Sequence, residues 1–403
     1  MNGMPGRLGG PGIGDFFQLF RDGNARTRAE LISLTGLARS TVALRVDALL
    51  TSGLLQPAPD AASSGGRPPA RLVINPSARL IVAVDLGATH GVVALTDLNG
   101  RVLESVRDDI RISDGPEPVL EWACDRAEAL LAASHRRDAP LAGVGIGVPG
   151  PVEHSTGRAV KPPIMPGWDG FDIPDFVGRR LGTTVLVDND VNVLALGEHA
   201  SVWPSVDDLL FVKVSTGIGL GIISGGTLRR GAQGTAGDIG RVQVPMSRDS
   251  RRPPGDERDL EAIASAPAIA AALAADGVPV YTTADLVALL SQGDARAVRA
   301  TREAGREIGE VLATVVNLLN PSVITIGGLL ARASEDLIAG IREVVYRRST
   351  PLATEHLLIV PSTSRDFAGV LGAAIMVSQH FLSPTAVETL IAEELTTKTA
   401  ATA

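Results

Sequence analysis

Two stretches of this chain repeat one another, and that repetition limits the fold more than any other feature. Ile81-Val82-Ala83-Val84-Asp85 is an apolar run that breaks at Leu86-Gly87-Ala88-Thr89, and a second strand pattern, Gly91 to Thr96, follows it. The same order returns at Leu209–Val214, breaks at Ser215-Thr216-Gly217, and resumes at Ile218-Gly219-Leu220-Gly221-Ile222-Ile223. Short aliphatic runs of this kind are strands of a buried sheet. A strand-turn-strand unit used twice predicts a duplicated α/β body with a cleft between two lobes. Glycines at both lips of such a cleft let backbone N–H groups approach phosphate oxygens. Gly87, Thr89, Thr216, Gly217 and Gly219 are therefore candidate phosphate-turn residues.

Between the repeats lie Gly145–Gly150 and the segment Val185-Leu186-Val187-Asp188-Asn189-Asp190-Val191-Asn192. The second is a strand that delivers Asn189 and Asp190 to its C-terminal end, where open α/β sheets bind ligands. A carboxylate there can take a hydroxyl proton or simply hydrogen-bond a sugar hydroxyl. The competing structural reading is that Asp188 or Asp190 caps a helix over Val191 to His199. Farther on, Ile308, Val311, Leu312, Val315, Val316 and Leu319 make an apolar helical stripe stopped by Asn320-Pro321, and Val323–Ile326 runs into Gly327-Gly328.

Ahead of this body sits a different kind of segment. Residues 1–79 hold nine Arg and no Lys against five Asp or Glu, a net of +4; the whole chain is −8, which leaves −12 for the rest. Asp15–Arg21 has an apolar face that stops at Asp22-Gly23, and Thr27-Arg28-Ala29-Glu30 has capping-box spacing before Leu31. Thr35-Gly36-Leu37 makes a turn, and Ser40 is placed to cap a third helix carrying Val42, Val46, Leu49 and Leu50. Helix, glycine-containing turn, helix is the helix-turn-helix order. The third helix would present Arg39, Ser40, Thr41, Ala43 and Arg45 to a major groove. The plainer alternative is a solvated small bundle. Leu54–Gln56 and Arg71–Ile74 read as two strands of a wing, with Arg67 at a Gly-Gly-Arg-Pro tip suited to a narrow minor groove. A flexible linker is the other reading of that tip. A basic head on an acidic body is most simply a ligand-controlled DNA-binding protein.

The expected divisions are a disordered 1–13, a winged head at 14–79, a first lobe at 80–190, a second lobe with closing helices at 191–382, and a flexible tail at 383–403. No apolar run reaches the length of a membrane span, and the first residues lack a signal-peptide core, so a cytoplasmic protein without membrane partners is expected. Cys124 is the only cysteine, which excludes an internal disulfide.

Taken in order, Asp85–Thr89, Gly145–Gly150, Asn189–Asn192, Thr216–Gly219, Gly237-Asp238-Ile239-Gly240 and Asn317–Gly328 resemble the ROK family of bacterial sugar kinases and sugar-responsive repressors. The resemblance implies an actin-like, ribonuclease-H-like two-lobed body behind a winged helix-turn-helix head, and the head is what the repressor branch looks like. It implies sugar contacts at Asn189 and Asp190, with Asp190 the catalytic base if the chain were a kinase. Asp238 and Arg241 stand where the family has Glu and His, and Glu261 after Leu260 fits its next sugar-contacting Glu. The family's His also ligates a structural zinc with three cysteines; here Ser247–Asp259 holds neither Cys nor His. No zinc is expected, and Arg248, Arg251, Asp256 and Glu257 are candidates for holding that loop by ion pairs. Ala88 and Ser215 replace phosphate-turn glycines of the kinases, placing side-chain atoms where phosphate would approach. The expected function is thus a sugar-responsive repressor, without cofactor, acting as a homodimer or homotetramer on an operator. An ATP-dependent sugar kinase with a regulatory head is the alternative.

Overall fold

The computed structural model describes residues 12–59, 70–244, 258–364 and 367–402. The head is built from α1 (Ile13–Gln18), α2 (Arg28–Thr35), α3 (Arg39–Thr51), β1 (Leu55–Pro57) and β2 (Leu72–Ile74). The capping box starts α2 as its spacing predicts: Thr27 Oγ1 accepts from Glu30 N at 3.2 Å, and Glu30 Oε2 accepts from Thr27 N at 2.7 Å. Gly36, left-handed at φ 67°, ends α2 and turns the chain toward α3. The start of α3 departs from expectation. Its N-cap is Ala38, which offers no side-chain cap, and Ser40 lies in the first turn, exposed. Phe16, Phe17, Phe20, Leu31, Val42, Val46 and Leu49 are at most 1% exposed, and each such side chain contributes roughly 1.5–3 kcal/mol. β1 and β2 pair antiparallel with Leu55 opposite Ile74, which forms the wing. Its tip, with Arg67, lies outside the described residues.

The first lobe follows with β3 (Leu80–Leu86), β4 (Gly91–Thr96), β5 (Val102–Asp108), α4 (Pro116–Ala133), β6 (Leu141–Val148), β7 (Val152–Glu153), β8 (Arg158–Ala159), α5 (Ile173–Leu181) and β9 (Val185–Asn189). Helix α6 (Asp190–Val202) leads into the second lobe. That lobe holds β10 (Leu209–Val214), β11 (Ile218–Ser224), β12 (Thr227–Leu228), α7 (Leu260–Ala264), α8 (Ala266–Ala275), α9 (Thr283–Ser291) and α10 (Ala295–Leu319). It finishes with β13 (Val323–Gly327), α11 (Leu329–Ala333), α12 (Glu335–Arg348), α13 (Pro351–Thr354) and β14 (Leu358–Pro361), and α14 (Ala368–Phe381) and α15 (Pro384–Thr402) close the chain.

The two large sheets run β5-β4-β3-β6-β9 and β12-β11-β10-β13-β14. In each, the first strand pairs antiparallel with the next and parallel with a later one: β3 with β4 and β6, β10 with β11 and β13. The repeated motif is therefore a repeated topology, and the body is the actin-like two-lobed fold. Close packing of α6 on α14 depends on Gly372, where a Cβ would sit 1.8 Å from Val193 O. Because α14 lies on β3, β6 and α6, the segment expected as second lobe returns to the first lobe at its end.

The expected flexible tail at 383–403 is corrected by α15. Val387 is fully buried and Ile391 is 4% exposed, in one core with Phe16, Val370 and Leu382. Periodicity in that segment was weak because its buried face is short and its partner is the head. Gly14 N donates to Glu388 Oε2 at 2.9 Å, and Gln18 Nε2 donates to Leu382 O at 2.9 Å. Arg79 joins the parts: its guanidinium pairs with Glu394 at 3.2 Å, donates to Ser52 O at 3.3 Å, and lies 5.9 Å from the Phe381 ring centre. Among the described residues no single helix is long and apolar enough to cross a membrane.

Candidate functional site

A cleft of about 840 Å³ opens between the lobes, and its lining brings together the candidate sugar-binding and phosphate-turn residues. Asn189, Asp190, Asp238, Arg241 and Glu261 lie in it with Gly87, Thr89, Thr216, Gly217 and Gly219. The strand ends place them. β3 and β9 run parallel to β6 between them, so Asp85 and Asn189 reach the same edge, and β10 brings Lys213 to face them from the second lobe.

The helix after β9 is capped by neither aspartate. Asn189 Oδ1 accepts from Val191 N at 2.9 Å while its Nδ2 donates to Gly150 O at 2.8 Å. Capping by Asn189 frees both aspartates for other work. Asp188, 1% exposed, takes hydrogen bonds from Asn189 N, Asn192 Nδ2 and Arg230 Nε, the last at 2.6 Å. Since Arg230 follows β12, that buried pair ties the second lobe to the first behind the cleft. Asp190 instead meets the cleft, and Lys213 Nζ donates to its Oδ2.

Glu261, at the start of α7, accepts from Ile218 N at 3.0 Å. The approach is close enough that a Cβ on Gly217 would lie 2.7 Å from its Oε2, so a larger residue there would push the Glu261 carboxylate aside. Arg241 does not pair with Asp238. Its Nη1 lies 3.4 Å from Asp259 Oδ2, and both Asp238 and Arg241 are exposed. Arg241 occupies the place of the family's zinc-ligating His, and a guanidinium bound to Asp259 does not fit a zinc site. The loop residues Arg248, Arg251, Asp256 and Glu257 lie outside the described residues. The first phosphate turn is also altered. The His90 ring covers Gly87, with Cε1 2.3 Å from where a Cβ would be, and Gly87 N donates to His90 O at 2.8 Å, so this N–H is already engaged.

Among the cleft residues that escaped sequence reasoning are His90, Arg107 and Lys213. Lys213 carried a usable signal, being the one charge in the run Leu209–Val214. The Asp85 carboxyl is pushed up to about 6, first by loss of solvent and then by the Asp190 carboxylate, with Lys213 and Arg107 offsetting part of the rise. Ionising it therefore favours the unfolded chain. This cost is absent below the ordinary value of 3.8, grows as pH rises to about 6, and is constant above. Asp85→Asn should raise stability at pH 7 by about 1 kcal/mol, after discounting for partial exposure. The gain should vanish near pH 4, and melting temperatures of both proteins across that range would check it.

On the head, Arg39 and Ser40 are exposed and Thr41 is half-buried. Arg45 does not face outward as expected. Its guanidinium carbon lies 5.7 Å from the Phe16 ring centre, and Nη1 is buried without a hydrogen bond. The guanidinium of a long cation has been drawn over an aromatic face. Leu44, 72% exposed on the same helix, is the unforeseen member of the outer face, and an apolar side chain there suits a thymine methyl.

The comparisons with known proteins agree with this arrangement. The model described as "ROK family" matches residues 81–380. A xylose repressor of Caldicellulosiruptor bescii is 28% identical over 376 residues, covering 90% of this chain and 94% of its own length. The ROK hexokinase of Thermus thermophilus, 30% identical with a TM-score of 0.61, covers 97% of its own chain but only 73% of this one. A solved ROK family transcriptional regulator, a homologue of the Escherichia coli MLC protein, spans 94% of this chain and 98% of its own at a TM-score of 0.78 and 24% identity. The kinase is thus matched over the body, and the regulators over head and body together. This chain belongs to the ROK family.

Proposed function

We infer that this chain is a sugar-responsive DNA-binding repressor whose effector enters the cleft between the lobes. One observation carries the reading: a winged head is docked on the first lobe by α14 and α15, and α14 begins at the cleft. Gly369 of α14 lies so close to Asp85 that a Cβ would sit 2.1 Å from its Oδ2, while Phe381 and Leu382 at the other end touch Arg79 and Gln18 of the head. Movement at the cleft is transmitted by one rigid helix. In this reading Asn189, Asp190, Asp238, Arg241 and Glu261 contact the sugar, and Arg39, Ser40, Thr41 and the Arg67 wing contact DNA. Two copies place two third helices in successive major grooves of an operator. To release DNA, the sugar must bind the released form better, and a hundredfold preference supplies about 2.7 kcal/mol.

Fluorescence anisotropy on DNA from the gene's own upstream region tests this, at two salt concentrations and with xylose, glucose and other sugars. Sequence-preferring binding that salt and one sugar both weaken is the expected result. Arg39→Ala should lower operator affinity about tenfold, with the salt slope reduced by about 1 if its contact is to phosphate. Absence of any preferred binding would overturn the reading. Phosphoryl transfer is disfavoured by the engaged Gly87 N–H and by Lys213 on Asp190, so no sugar phosphate is expected from ATP.

A further inference from the structure

We propose that Glu198 is a positioning residue for the sugar response: it pins the lead into α14 to α6, so that movement between the lobes turns α14 instead of being absorbed in the loop before it. The proposal rests on the sugar reading above and names the side chain through which the cleft acts on the head. The chain crosses between the lobes twice. It enters the second lobe through α6, and it returns from β14 through Ser362, Thr363 and Ser364 toward α14. Helix α6 rests on β10 and β11 of the second sheet, whereas α14 rests on β3 and β6 of the first. The lobes therefore meet where these two helices pack, and Glu198 lies at that seam.

The geometry at Glu198 is that of a clasp. Its side chain is fully buried. Oε2 accepts from Ser362 Oγ at 2.7 Å, from Ser364 N at 3.2 Å and from Ser364 Oγ, and Oε1 accepts from Thr363 N at 3.4 Å. A buried charge is tolerated when hydrogen bonds replace its hydration, and donors from three consecutive residues do so here. Ser362 belongs to both sides of the seam. Its N–H donates to Ile326 O at 2.8 Å, which extends the second sheet, while its hydroxyl reaches α6. An apolar side chain of similar volume would fill this place at no greater cost. A carboxylate adds directional, charge-assisted bonds that fix the loop in one position.

Spacing along α6 supplies the link to the cleft. Asp190, Leu194 and Glu198 follow one another at four-residue intervals, a stripe along one side of a helix. Asp190 and Leu194 line the cleft, and so do Ser362 and Ser364. Next to Glu198, Gly197 approaches α14 so closely that a Cβ would sit 2.1 Å from Ala368 O. One turn of α6 thus grips both the loop and the first residue of α14.

Glu198→Gln in the full chain separates binding from transmission. Operator affinity without sugar, by anisotropy, and affinity for xylose and glucose, by titration calorimetry, should each stay within about threefold of the parent protein, while the effect of sugar on operator affinity falls below about twofold. A merely structural role would shift the melting temperature and leave that coupling intact. Hydrogen exchange without sugar gives a second readout: the first turns of α14 should exchange roughly tenfold faster in the variant, with α3 unchanged. Ser364→Ala, which removes one hydroxyl donor and keeps the carboxylate, should cause the same changes in smaller size, and it replaces Glu198→Gln if that variant does not fold. Sugar release as strong in the variant as in the parent would overturn the proposal, and so would a loss of sugar affinity that matches the loss of release. If neither sugar releases the parent protein from DNA, the failure lies with the sugar reading, and exchange alone decides the clasp: an unchanged rate at α14 would overturn it.

Discussion

Asp190→Asn should abolish the sugar response, lowering sugar affinity about 100-fold, or ~2.7 kcal/mol, while sugar-free operator binding stays within about threefold. The first effect follows from position. Asp190 is a cleft carboxylate only 4% exposed, and Lys213 is its partner of opposite charge. An amide in its place cannot balance that lysine, so a buried cation is left without compensation and the hydroxyl acceptor is weakened. The second effect follows from placement in the fold, because Asp190 opens α6 at the interlobe cleft while α3 and the wing belong to the head. The same substitution separates repressor from kinase. A kinase would make sugar phosphate from ATP and lose that turnover in the variant; the repressor reading expects no turnover in either protein. Anisotropy with and without sugar, run beside an ADP assay, gives both answers.

The parts of this molecule that were legible in the sequence are those where local and tertiary demands coincide. The Thr27–Glu30 capping box, the Gly91–Thr96 strand and the Asn189-Asp190 strand end each satisfy local chemistry and the global fold at once, and β4 has the expected bounds. Legibility failed where a partner distant in sequence decides the outcome. Arg45 reads as an outward base contact from helical spacing, and it turns inward because Phe16 of α1 offers a ring face. Ser40 is a good capping residue by type, but α3 starts at Arg39, with Ala38 as its N-cap two residues earlier. Lys213 reads as a mere interruption in an apolar strand until the two lobes are placed together and Asp190 stands opposite. The packing of the tail, which reads only as one weak helix and a Thr/Ala tail, was hidden for the same reason: Val387 and Ile391 find their partners in a head more than three hundred residues earlier.

Removing Pro384–Ala403 should uncouple the head from the cleft, leaving a protein whose operator affinity changes less than about twofold with sugar. Burial of Val387 and Ile391 contributes roughly 3–6 kcal/mol to docking the head, and Glu394 is the carboxylate that matches Arg79, a residue 9% exposed. Without α15, Arg79 keeps its carbonyl contacts but has lost its charge partner, and the Gly14 amide loses Glu388. The head retains its own core of Phe17, Leu31, Val42, Val46 and Leu49, so it should stay folded and bind DNA while its orientation to the first lobe is lost. Hydrogen exchange should then show α1 opening faster and α3 unchanged. Full sugar release from the truncated chain would mean that the signal does not pass along α14 into the α1–α15 contact, and that the junction at Arg79 alone, where β3 begins, is sufficient to carry it.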